Sequence, residues 1–268
     1  MSHPLPRLRD IAPDLLRLPR WRVAVSLLLP AAFITGYVAA ATWGVWPLAV
    51  LAAAGLMFVT YGSTSHDLVH GSLGLPRRWN DLLLTLIEAV TFRSGRAYKL
   101  AHRHHHARYP HADDVEGAAA HASWWRALLV GPVYVPQLWL WAMRHHPTDR
   151  RRLLMEAALT ISLAAALVAA AAVWRTPWPA AYLLLCVAGA WVFPFALAYL
   201  PYTPDGDGPL GQTRRVRGRV ARVIAFEHLY HLEHHLYPGV PHHHWPELAR
   251  RLDPHLDRAG VPAVRVGR

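Results

Sequence analysis

The stretch WPLAVLAAAGLMFVTYGSTSHDLVH, residues 46–70, decides how this chain folds. From Trp46 to Thr64 it carries no charged side chain, and as a helix it is long enough to cross a hydrocarbon layer of about 30 Å. Two residues further on come His66 and His70. Their i, i+4 spacing puts both imidazoles on one helical face, about 6 Å apart along the axis. Alone, an apolar helix that leaves the membrane on such a pair reads as a boundary feature, and it becomes half of a metal site at the water boundary only if further ligands join it.

Working outward, three more apolar runs are long enough to span: Val23 to Ala41, Leu153 to Trp174 and Trp178 to Leu200. The first pair of spans turns around Trp43 and Gly44, the second at Arg175-Thr176-Pro177. Of 28 Lys and Arg residues, only Arg175 lies in these turns, and the rest fall on the side of both termini. The positive-inside rule makes that side cytoplasmic, with Trp43, Trp46, Trp174 and Trp178 as the outer aromatic belt. Asp81 to Phe92 is too short to cross. Ser123 to Met143 is rich in tryptophan and interrupted by Pro132 and Pro136, so both stretches are expected in the interface or dipping partway. Met1 to Arg22 holds five arginines and four prolines and reads as a cytoplasmic lead-in, not a cleavable signal. With 268 residues, 53% of them hydrophobic, and no fixed-period repeat, one domain over 1–268 is expected. The expected fold is an all-α integral membrane protein of the inner (cytoplasmic) membrane. Four transmembrane helices, with interfacial helices, carry a cytoplasmic cap of histidine boxes.

Two further clusters, His102-Arg103-His104-His105-His106 and His231-Leu232-Glu233-His234-His235, fall on the same side as His66 and His70. In HxxHH the outer histidines share a face, and the middle one sits about 100° round the helix from the last, so two neighbouring ions can share one segment. The three patterns supply two, three and three imidazoles. An ordinary zinc site uses three or four protein ligands, so this number argues for two ions. Any one cluster alone could be a boundary pair or a surface tract; three on one side of a bilayer favour metal. The single cysteine, Cys186, lies inside an apolar run, which excludes an internal disulfide, a cysteine zinc site and a fused iron–sulfur centre. Imidazole by itself suits iron, zinc and copper alike. A zinc hydrolase of the HExxH type does not match, because Asp67 is followed by Leu68 and Val69. A metal transporter stays a remote alternative, since transporters set polar ligands near the bilayer midplane and these spans have almost none. The sequence pI of about 10.5 reflects charge along membrane-flanking loops, with no nucleic-acid motif.

Three segments together carry a resemblance: His66-Asp-Leu-Val-His-Gly-Ser-Leu73, Ala101-His-Arg-His-His-His-Ala107 followed by Asp113-Asp114, and His231-Leu-Glu-His-His-Leu-Tyr-Pro238. In order and topology they resemble the membrane fatty acid desaturase superfamily over roughly residues 46–252. The first two boxes are most similar to bacterial carotenoid ketolases. The third is similar also to carotenoid hydroxylases and acyl-lipid desaturases. The resemblance implies two iron ions, O2 as co-substrate, electrons from an external ferredoxin or similar soluble donor, and a long apolar lipid substrate arriving through the membrane. A carotenoid ring hydroxylase or ketolase is the expected activity, with an acyl-lipid desaturase as the alternative.

On that resemblance His66, His70, His102, His105, His106, His231, His234 and His235 are the expected iron ligands, with His104 facing away. Asp67, Asp113, Asp114 and Glu233 lie beside them and are suited to accept the second ring N–H and fix each tautomer; helix capping or pairing with arginine is their plainer role. Ketolases resemble one another in a Leu-Pro-His-Arg after the last span, where this chain has Leu200-Pro201-Tyr202-Thr203. His228, one helical turn before His231, is the expected replacement ligand. His145-His146 and His242 to His244 read as surface or headgroup contacts. Glu156, just inside the third span, must face protein or water or snorkel to the boundary. Arg214, Arg215, Arg217, Arg219 and Arg222 read as anchors to anionic lipid that can also steer an acidic donor.

Overall fold

The structure is a computed structural model and describes residues 5–218 and 228–267, so Arg219 and Arg222 lie outside the described residues. It is built from helices. Four are long and apolar enough to cross a membrane: α1 (Arg20–Thr42), α2 (Trp46–His70), α7 (Arg150–Val173) and α8 (Trp178–Tyr199). At 1.5 Å per residue the shortest, 22 residues, extends about 33 Å. Between the pairs lie α3 (Arg77–Val90), α4 (Gly95–Arg108), α5 (Trp124–Leu129) and α6 (Gly131–His145), none long enough to span. After α8 come α9 (His231–Leu236) and α10 (Trp245–Arg258). Two three-residue strands, β1 (Arg215–Arg217) and β2 (Ala263–Arg265), pair in parallel. The break between α5 and α6 falls at Val130 and not at either proline. Pro132 sits in the first turn of α6, where a missing N–H costs nothing, while Pro136 lies within that helix.

Both spans that lead into the histidine region change pitch at that end. Thr60–Thr64 of α2 and Pro194–Tyr199 of α8 are π-helical. Pro194 has no N–H for the regular ladder. In α2 the Thr60 hydroxyl donates to the Leu56 and Met57 carbonyls. A π turn inserts one residue and so rotates everything after it about the helix axis. Thus His66 and His70 face inward from a helix whose earlier turns meet lipid.

Two buried polar clamps fix the connecting helices. The Arg93 guanidinium donates to both Glu88 oxygens at 2.6 and 3.0 Å and to Thr60 Oγ1 at 3.0 Å, bracing α3 against α2. Glu156 of α7 is not a snorkelling residue. It is 4% exposed and accepts from Thr85 Oγ1, Ser94 Oγ and the Arg96 backbone N–H at 2.6 to 2.8 Å. It thereby satisfies the start of α4, whose helix-end N–H groups have no intrahelical acceptor. Ser94 is also the N-cap of α4, accepting from the Ala97 N–H.

The cap has its own core. Apolar residues of α10 recur at Trp245, Leu248, Leu252 and Leu256, and they pack with Leu232, Ala12 and Leu15. The N-terminal lead-in is therefore a structural part of the cap. Tyr237 donates its hydroxyl to the Pro6 carbonyl at 2.6 Å, and Arg251 holds the Asp14 carboxylate at 2.7 Å.

Candidate metal centre

The boxes converge from three directions. Nitrogen atoms of His66 and His70 from α2, His102 and His106 from α4 and His234 from α9 gather into one group, all within 4.8 Å of one another. His105, His231 and His235 form a second group on the same criterion. The helical offset inside HxxHH makes the division. His102 and His106 lie one turn apart and face one group, while His105 is turned toward the other. In α9 the sharing runs the opposite way, with the outer pair in the second group and His234 in the first. His104 joins neither and stacks on Trp141 with ring centroids 4.8 Å apart.

The packing of the first group fits a cation. Nε2 contacts run His70–His102 at 3.0 Å, His102–His106 at 3.1 Å, His106–His234 at 2.8 Å and His234–His66 at 3.1 Å. Each imidazole nitrogen either donates one hydrogen bond or accepts one. Five nitrogens in a row can therefore make at most two hydrogen bonds across these four contacts, and the remaining contacts are repulsive. Lone pairs that all face one ion remove the conflict, and vertices about 3 Å apart suit a metal held at about 2.1 Å from each nitrogen. Burial, followed by the neighbouring rings, holds His102, His106, His234 and His235 well below the ordinary imidazole range. The same causes bring His231 down to about 3. Neutral imidazole is the form that binds a metal. In the second group the Tyr202 hydroxyl lies 2.5 Å from His105 Nε2, 2.6 Å from His235 Nε2 and in contact with His231 Nε2. Burial pushes that phenol well above its ordinary value.

Carboxylates beside the boxes divide by role. Asp114 Oδ2 accepts from His105 Nδ1 at 2.6 Å, and its Oδ1 accepts from the backbone N–H of Glu116 and Gly117. Glu116, which sequence reasoning missed, lies 2.9 Å from His102 Nδ1. Its signal was available as a second acid two residues after Asp114. Burial, with Asp114 next, pushes the Glu116 carboxyl up, a cost that a dication bound beyond the His102 ring would offset. The other three acids do not orient ligand rings. Asp67 accepts from the His242 ring and backbone N–H and from Ser72. Asp113 is exposed and pairs with Arg108, and Glu233 is buried against Arg217 at 2.5 Å. Proximity in sequence to a box suggested them, but Asp67 and Glu233 leave their helices on other faces and Asp113 lies in the turn after α4.

Three further sequence expectations need correction. His228 joins neither group. It stacks on Phe58, its Nε2 is 2.9 Å from Ser63 Oγ, and Gly62 leaves the room for its ring, since a Cβ there would stand 2.2 Å from it. His242 is not a surface residue but 4% exposed and bonded to Asp67. Arg215 and Arg217 are not free for lipid or a donor, because Asp253, Asp257 and Glu233 hold them.

A helical protein with four membrane-length spans and two adjoining histidine groups at one end defines a class: membrane proteins with a histidine-built site able to hold metal. Comparison with known families places the chain within it. The fatty acid desaturase family model matches residues 41–266, and the chain belongs to that family, an oxidoreductase family of the di-iron type. A probable fatty acid desaturase, DES1, of Sorghum bicolor is 29% identical over 93 residues, 35% of this chain. The matched part spans about a quarter, 24%, of that relative's length.

Proposed function

We propose that the chain is an O2-dependent di-iron oxidoreductase that acts on C–H bonds of a long apolar lipid. The observation that carries this reading is a mostly apolar cavity that shares two lining residues with the space bordered by the histidine groups. A space of about 320 Å³ is lined by Phe92, Ala97, Val135, Leu138, Trp139 and Ile161, with Tyr61 and Tyr98 at one end. The same two tyrosines border a smaller space with His66, His102, His105 and His231. Their rings stack at 4.2 Å, and the Tyr98 hydroxyl donates to the Tyr61 carbonyl at 2.8 Å. A lipid held by the apolar walls thus meets a two-ring partition before it meets the imidazoles.

The eight box histidines hold the two irons in this reading, five on one ion and three on the other, and Asp114 and Glu116 fix the rings of His105 and His102. Bound iron supplies the reduction of O2 and an oxidant able to take hydrogen from an unactivated C–H bond. The apolar lining excludes water and presents one carbon of the substrate past Tyr61 and Tyr98. Electrons arrive from a soluble carrier such as a ferredoxin, at the cytoplasmic side of an inner membrane, where both termini also lie. The ligands come from segments far apart in sequence, so the whole chain works as one domain.

A carotenoid ring is the first substrate reading, supported by the first two boxes. An acyl lipid is the second, supported by the family and by the sorghum relative. Pigment and lipid analysis of cells that make β-carotene, with and without the chain, separates them. New hydroxy- or keto-carotenoids, abolished by His105→Ala, are the expected result. New unsaturation in acyl chains with unchanged carotenoids selects the second reading, and no change in either pool rejects both.

A further inference from the structure

We infer that the phenolic oxygen of Tyr202 is a protein ligand of the second ion, completing a set with His105, His231 and His235. The inference rests on the two-iron reading above. The three-imidazole group is the poorer in protein donors, and the atom at its middle is an oxygen. Tyr202 Oη approaches all three Nε2 atoms, two of them at 2.5 and 2.6 Å. The phenolic oxygen thus stands where the three ring nitrogens converge, so an ion held by those rings meets the phenol as well.

The placement is built, not incidental. Tyr202 is 2% exposed and follows directly on α8. Its backbone is fixed by an antiparallel bridge to Thr213, by the Arg214 N–H on the Pro201 carbonyl at 2.7 Å and by the Thr203 N–H on the Gln212 carbonyl at 2.8 Å. Its ring lies against Tyr109 at 4.3 Å between centroids. On the far side of His105, Asp114 accepts the hydrogen bond of the Nδ1–H, so His105 Nε2 presents a lone pair toward the same point. A phenolate adds one negative charge to a group otherwise made of neutral rings and is a harder donor than imidazole. The two ions therefore differ, one held by five nitrogens and the other by three nitrogens and an oxygen. Ligation transfers the phenolic proton to solvent, so that loading the second ion releases a proton that the histidines alone do not supply.

The test is iron loading of the full chain in detergent, followed by iron content, visible absorption and resonance Raman spectroscopy of the ferric state. Wild type is expected to hold two irons per chain and to show a phenolate-to-iron charge-transfer band with tyrosinate ring modes. Tyr202→Phe is expected to lose the band and to retain about one iron. Tyr202→His is expected to retain two irons without the band, which separates a lost ligand from a misfolded chain. Two irons in wild type with no tyrosinate signature overturn the inference and leave the two-iron reading standing. A wild-type chain that takes up no iron overturns both. A band that survives Tyr202→Phe assigns it to another tyrosine and overturns the inference alone.

Discussion

At the scale of single residues the centre depends on which side chains touch the ligand rings. Glu116 holds His102 Nδ1, whereas Asp113 pairs with Arg108 and His104, neither of which belongs to the two histidine groups. Glu116→Gln is expected to weaken metal binding 10- to 100-fold, the usual range for losing a carboxylate partner of a ligand imidazole, whereas Asp113→Asn is expected to leave it unchanged. Competition against a chelator measures both, and equal affinities in the two variants reject the assignment. Gly117 has a similar position in the argument, because a Cβ there would stand 2.3 Å from Asp114 Oδ2 and 3.1 Å from His105 Nδ1. Gly117→Ala is therefore expected to displace the carboxylate and to reduce occupancy of the second ion, read as iron content; a variant holding two irons with wild-type affinity contradicts it. That the box histidines gather was legible because a shared face needs a fixed helical spacing. Tyr202 was legible only as a departure from a motif, and what it touches depends on a fold that brings α4 and α9 together around it.

At the scale of elements, hydropathy marked the four spans to within a few residues, since length and absence of charge are the physical conditions for crossing lipid. The π turns were not legible. They answer to tertiary fit, as at Gly62, where the His228 ring packs. Nor were the clamps, because nothing local says whether Glu88, Arg93 or Glu156 faces lipid or another helix. The Glu88–Arg93 pair shows what such a clamp is worth. Its side chains are 0% and 3% exposed, so Arg93→Ala strands a carboxylate among apolar groups. The expected cost is about 3–5 kcal/mol, seen as a large fall in the midpoint of thermal unfolding in detergent. Glu88→Leu combined with Arg93→Leu removes both charges and is expected to restore much of the loss. A single Arg93→Ala variant as stable as wild type contradicts the clamp.

At the scale of the whole molecule, the cap closes over the centre partly through the N-terminal segment, which carries no motif and whose role follows only from where α10 lies. Hydrogen bonds from Arg250 and then Arg251 bring Glu247 down to about 2, and a bond from Arg251 holds Asp14 below the ordinary carboxylate range. A depressed folded pKa means that the undocked state binds protons more readily. The contribution is therefore complete above about pH 5 and is lost as pH falls toward 2. Hydrogen-exchange protection of residues 5–16, corrected for the intrinsic rate at each pH, is expected to fall over that window and not above it, and Asp14→Asn is expected to flatten the dependence. Orientation is the remaining property of the whole. Among the described basic residues only Arg175 lies at the end of the spans away from the histidines, and by the positive-inside rule this imbalance supports the proposed orientation with the cap in the cytoplasm. Cys186 is the sole native cysteine and is buried, so introduced cysteines report without background. A membrane-impermeant maleimide added to intact bacterial cells is expected to label Arg175→Cys and not Arg265→Cys. Lysis is expected to expose the latter. Labelling of Arg265→Cys in intact cells would place the histidine groups on the outer face, away from any cytoplasmic electron donor, and would remove the ferredoxin-type carrier from the proposed reaction.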